Sequence, residues 1–161
     1  FAIAAVLEYV YGRGEVRLAS ADPHAPPIVD NRFCEDERDT GRLVSGFRDA
    51  IRFADHGALA GMIEAVTFPD PGRVTDASLR DLCRKFAGSG YHPCGTVKMG
   101  PRSDPGAVVD QYGCCHTIAN LVVADASIMP FVPRANTNLT SIMIGEMVGE
   151  WLRTRPGQYG L

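Results

Sequence analysis

No apolar run in this sequence reaches the roughly 18 residues that a membrane-spanning helix needs. The longest candidate, Ser141–Val148, is interrupted by Glu146. Positive charge is not in excess either. A formal net charge of −3 and a pI near 5.8 argue against general affinity for nucleic acid or an anionic membrane. Paired cysteines are missing. Five cysteines with no C-x-x-C spacing fit a reducing compartment, and hence the cytoplasm, better than a disulfide framework. Cys114 and Cys115 are adjacent and chelate poorly, and the four histidines are scattered, so no metal site is expected. Phosphate loops are missing too. Gly12–Gly14 is G-x-G but precedes a strand, and in Gly88–Gly90 the third glycine is replaced by Pro93. There is no G-x-S-x-G elbow, which disfavours a hydrolase triad. The opening FAIAAVLEYVYG lacks the basic start of a signal peptide and reads as a chain entered in mid-structure, so a processed or truncated product is expected.

What is present is ordinary globular protein. The 161 residues are 45% hydrophobic and 22% charged, enough to bury a substantial core. In GEVRLAS, Val16 and Leu18 alternate with Glu15 and Arg17, the pattern of a half-buried strand, and Ile28 and Val29 supply a short second strand beside it. From Glu35 the period changes. Leu43, Phe47, Ile51 and Phe53 or Ala54 predict an amphipathic helix that ends before Gly57. A second helix over 77–87, capped by Thr75 or Asp76, would bury Leu79, Leu82 and Phe86. Short strands are expected at GTVKMG, at VVD (Val108–Asp110) and at ANLVVADAS. A last helix, NLTSIMIGEMVGEWLRT, follows the loop PFVPRANTN. Gly145 and Gly149, four apart on that helix, leave room for close approach of another backbone.

The stretch SGYHPCGTVKMG, Ser89–Gly100, raises the functional question. His92 lies between Tyr91 and Pro93, just past a helix end, with Gly95 close behind. On residues alone it is as well read as part of a structural turn as an imidazole aimed at a substrate. Cys94 lies too close in sequence for an easy thiolate–imidazolium pair. The acids Asp22, Asp30, Glu35, Asp36 and Glu37 read as a solvated loop and helix start. Asn138, directly before LTSIMIGE, reads as a helix cap.

Four motifs in order, YHPCGTVKMG, VVD, LVVADASIMP and NTNLTSIMIGE, resemble the C-terminal signature of the glucose–methanol–choline (GMC) oxidoreductases, flavoenzymes that oxidise alcohols. GRGEVRLASADPHAPPIVDNRF resembles strands of that family's substrate domain, so the likeness spans nearly the whole chain. The resemblance implies a mixed α+β or α/β fold. Residues 1–95 would belong to the substrate-binding domain, and residues 96–161 would return to pack on the FAD-binding domain. It implies FAD as cofactor, a small alcohol as substrate, and an N-terminal FAD-binding half as a separate or cleaved partner chain.

Carried over by position, His92 matches the family's catalytic histidine, and Asn138 the second active-site residue, a histidine or asparagine. Asp125 and Ala126 match residues that approach the flavin and its ribityl chain. Leu139 and Thr140 match backbone positions near the isoalloxazine ring. The implied mechanism has His92 accept, or assist the loss of, the hydroxyl proton while hydride passes from the carbinol carbon to flavin N5 and Asn138 orients the oxygen. One departure is Cys114–Cys115–His116, where relatives usually carry an arginine or valine before the histidine; this reads as a variable surface turn. Alternative readings are a non-catalytic remnant that keeps the fold as an assembly module, and a small flavin-free enzyme using His92 and Cys94. If the last helix packs on an absent domain, Ile128, Met129, Ile142 and Met143 would form an exposed apolar patch.

Overall fold

The computed structural model describes residues 2–160, save the side chain of Ala60, and divides them into two compact units that part between Gly88 and Ser89. The division places the His92 turn in the second unit. The class is α+β: four α-helices, short 3₁₀ turns and one two-stranded ribbon among the described residues.

In the first unit, β1 (Glu15–Arg17) pairs antiparallel with β2 (Ile28–Asp30), Val16 opposite Val29. The strands form where the alternation predicts. The expected half-burial does not follow, because Leu18 is 86% exposed and Val16 and Val29 also face solvent. Helix α1 (Glu37–Ala54) starts where the Asp36 carboxylate accepts the N–H of Arg38. The Arg38 side chain on the same carboxylate, and then that N–H, hold its pKa down to about 2. A four-residue helix, α2 (Gly57–Ala60), follows. Helix α3 (Asp76–Phe86) opens on a capping box between Thr75 and Ser78.

Helices α1 and α3 pack through Val44, Leu79 and Cys83, flanked by Leu43, Phe47 and Leu82. Of the alternatives Phe53 or Ala54, it is Ala54 that is buried and Phe53 that lies exposed, and Phe86, expected inside, is exposed too. The two phenylalanines sit near the ends of their helices, where the apolar stripe has turned away from the seam. Exposed charge pairs frame the same seam: Glu37 meets both Arg80 and Arg84, and Arg48 meets Asp76. Asp39 is buried and accepts the N–H groups of Tyr11 (2.9 Å) and Gly12 (2.8 Å), tying the incoming chain to the first turn of α1.

The second unit is built differently. The expected strands at GTVKMG, VVD and ANLVVADAS are not regular strands. They appear only as single-residue bridges, Met99 to Val109, Val109 to Cys115 and Cys114 to Val122. The reason lies in the partner of residues 95–99. The N–H groups of Gly95, Val97 and Met99 donate to the carbonyls of Ala126 (3.1 Å), Ser127 (3.0 Å) and Ile128 (2.7 Å). Alternate residues of an extended segment thus bond consecutive residues of a 3₁₀ turn, Ala126–Ile128, which no β-ladder can match.

Helix α4 (Thr137–Thr154) closes the unit, its Ile144 and Val148 packing with Val109, Ile128 and Met129. Tyr112 meets Trp151 edge to face at 5.3 Å between centroids. Ile128 is 2% exposed, and Met129 is buried beside it, so neither belongs to the apolar patch expected from the sequence; Ile142 and Met143 on α4 are exposed as expected.

Two substitutions test this account. Leu79→Ala is expected to remove about 2–5 kcal/mol of stability, the usual range for a fully buried leucine. A urea midpoint equal to that of the unsubstituted protein would refute the α1–α3 seam. Gly95 has φ +79°, and a Cβ there would lie 2.9 Å from the Met129 carbonyl oxygen. Gly95→Ala is therefore expected to cost about 1–3 kcal/mol, read from the same midpoint. No loss would mean that the 95–99 segment is not held against the turn as described.

Candidate active site

The site begins with a turn that points one ring. Tyr91 takes a left-handed conformation, φ +65°, and its N–H donates to Ser89 Oγ at 2.9 Å. Pro93 fixes the residue after the histidine, and Gly95 turns the chain into the segment zipped onto 126–128. The stiffness read in YHPCG is therefore real, and it serves to place His92. The half-buried imidazole meets the start of α4: Nδ1 lies 3.2 Å from Thr137 Oγ1, and the Thr137 N–H donates to Nδ1 at 3.5 Å.

The structure brings several of the sequence-derived residues near one another along two short elements. Asp125 precedes the 3₁₀ turn and accepts the N–H of Ser127 at 2.8 Å; the Ser127 hydroxyl, then that N–H, hold its carboxyl below the usual range. Ala126 begins the turn, and its carbonyl receives the N–H of Gly95, three residues beyond His92. Asn138, Leu139 and Thr140 lie in the first turn of α4, directly after the residue that His92 touches. Asn138 itself is not the cap. That position belongs to Asn136, whose side chain makes no capping bond, because the loop carries the chain into helical geometry one residue earlier than expected. Asn138 is exposed, and the hydrogen bonds of the His92 ring among the described residues go to Thr137 rather than to it.

Sequence reasoning missed Thr137. A threonine at a helix start reads as a cap-type residue. Nothing local shows that a ring 45 residues away will sit on it.

The residues present fit the flavin that the resemblance implies. The first-turn N–H groups of α4 have no acceptor within the helix, and partial positive charge gathers at that end. Leu139 is 77% exposed, and Ile142 and Met143 continue the apolar surface along the helix. Past Thr137, whose N–H goes to His92, first-turn donors beside exposed apolar surface suit a flat ring that accepts hydrogen bonds along one edge and gains negative charge on reduction.

A concavity of about 520 Å³ lies between Met99–Arg102, Asp110–Gln111 and Cys114–His116. His116 Nε2 is 2.9 Å from the Gly100 carbonyl oxygen. The Thr117 N–H, then the Thr117 hydroxyl, holds the Cys115 thiol below its ordinary range, while burial pushes Cys114 up. With both cysteines in backbone bridges and half-buried, this segment is tied into the unit's framework.

Comparison with known proteins gives the geometry a family. The GMC oxidoreductase family model matches residues 10–145. The chain is 41% identical over 147 residues to the oxygen-dependent choline dehydrogenase of Cronobacter sakazakii, covering 89% of this chain and 25% of that protein. It is 37% identical over 155 residues to the 5-(hydroxymethyl)furfural oxidase of a Methylovorus species, covering 88% of this chain and 29% of that protein. Among solved structures, pyridoxine 4-oxidase from Mesorbium loti superposes with a TM-score of 0.84 at 27% identity, over 92% of this chain and 28% of that one. The chain thus spans about a quarter of the length of the curated relatives it matches. With the His92 turn, the Asp125–Ile128 turn and the start of α4 all inside the matched span, the chain belongs to the glucose–methanol–choline oxidoreductases, FAD-dependent flavoproteins, as part of their C-terminal region.

Proposed function

We propose that this chain supplies the substrate-oxygen side of an FAD-dependent alcohol oxidoreductase, working with an FAD-binding half of the kind its relatives carry. The observation that carries the reading is the seating of His92 on the first turn of α4, one residue from Asn138. It is supported by relatives named for choline dehydrogenation and for oxidation of a hydroxymethyl compound. FAD, when bound, supplies a two-electron acceptor for the hydride lost by the carbinol carbon. Asp125 and Ala126 would lie against the cofactor from one element, Leu139 and Thr140 from the other.

The chain's own residues then have separable tasks. His92 assists departure of the hydroxyl proton, as acceptor or as hydrogen-bond partner of the oxygen. Asn138 offers its carboxamide N–H to that oxygen and fixes its orientation. Their elements are held by hydrogen bonds remote from the oxygen, so the geometry exists before substrate arrives. Residues 1–95 belong to the substrate-binding side, and residues 96–161 to the part that packs on the FAD-binding domain.

Replacing the histidine tests the reading. In the full-length protein, His92→Ala is expected to lower alcohol turnover by about 10²–10⁴-fold, as for loss of a general acid–base group, with the flavin absorbance retained. Full activity would sink the assignment. Asn138→Ala is expected to lower turnover while changing stability by no more than about 0.5 kcal/mol, because Asn138 is exposed and Asn136 holds the cap position. A large fall in the unfolding midpoint would instead make Asn138 a structural residue.

A further inference from the structure

Which nitrogen of His92 meets the substrate is decided by a residue outside the His92–Asn138 pair. Thr137 is 8% exposed, and its hydroxyl and its backbone N–H converge on one ring nitrogen. Its hydroxyl oxygen lies 3.2 Å from Nδ1, and its backbone N–H donates to Nδ1 at 3.5 Å. A backbone N–H can only donate. A proton on Nδ1 would therefore face another proton, whereas a lone pair there is matched by the N–H. The hydroxyl is free to turn and donate as well. Thr137 is also the first residue of the 18-residue helix α4, whose aligned peptide dipoles gather partial positive charge at that end.

We infer that Thr137 is a positioning residue: it holds the neutral imidazole of His92 with Nδ1 as acceptor and the ring proton on Nε2. The inference rests on the reading of His92 as the residue at the substrate oxygen. In this tautomer the neutral ring offers that oxygen an N–H donor, not a vacant lone pair. Of the two ways in which His92 could assist proton loss, hydrogen bonding to the oxygen belongs to the resting site, and the hydroxyl proton itself is taken up by Nε2 only once that nitrogen has given up its own. For the ring to act as base at Nε2, the proton must first sit on Nδ1, with the Thr137 hydroxyl turned to accept it and the N–H contact given up.

The test is nitrogen NMR of the full-length, flavin-loaded protein carrying ¹⁵N-labelled histidine, at a pH where the ring is neutral. The His92 signals are identified by their loss in His92→Gln. Nδ1 is expected at the unprotonated position and Nε2 at the protonated one. Thr137→Val keeps the buried shape but removes the hydroxyl. The two nitrogen shifts should then move toward each other as the second tautomer becomes populated, and Thr137→Ser should restore them.

Kinetically, Thr137→Val should lower kcat about tenfold with little change in KM, as for loss of one ordinary hydrogen bond. A proton found on Nδ1 in the unsubstituted protein would overturn the inference, and this measurement does not depend on any variant folding. Unchanged His92 shifts in Thr137→Val would overturn it as well. Absence of alcohol turnover in the unsubstituted protein would overturn the proposed function, and the nitrogen shifts would still decide the tautomer.

Discussion

Three backbone hydrogen bonds hold the second unit in the form that makes a site possible. The N–H groups of residues 95, 97 and 99 meet the carbonyls of 126, 127 and 128, an extended chain laid along a tight turn. Because the two sides advance at different rates per residue, the match lasts three bonds and cannot run into a sheet. That short length is useful. The chain before Gly95 is free to form the Tyr91–His92 turn, and the chain after Met129 is free to loop into α4. Ile128 and Met129, on the turn itself, sink into the core with Ile144 and Val148. The hydrogen bonds and the apolar cluster therefore fix the same two segments from opposite sides.

The helical half of the chain was legible from its sequence. Leu43, Phe47, Leu79 and Leu82 recur at helical spacing, and Asp36 and Thr75 stand where capping carboxylate and hydroxyl groups are needed. The later segments were less so. VVD and LVVADAS have the composition of buried strands, yet their partners are single bridges and a 3₁₀ turn, and composition does not reveal which backbone lies opposite. Burial failed in both directions for a related reason. Leu18 looks like a core residue and is open, while Ile128 looked unpartnered and is enclosed, since each depends on neighbours distant in sequence.

For the site, His92 was legible through its stiff setting and through the ordered set of family motifs. Asn138 was placed in the right turn but given a cap's role that geometry hands to Asn136. Thr137 was not legible, because its importance comes from a ring brought back to it by the whole second unit. The motif thus names the residues proposed for the chemistry more readily than the one proposed to orient them.

At the entry to α4, the usual short polar side chain is replaced by an imidazole. Asn136 makes no capping bond, and the ring of His92 receives the first helical N–H in its place. Whatever the helix end does to the ring, the ring does in equal measure to the helix end, since the two share one interaction free energy. Taking the ring away withdraws the support of that N–H. The order of the turn bearing Asn138, Leu139 and Thr140 is then tied to the seating of His92. The beginning of this helix is finished by a side chain 45 residues away along the chain.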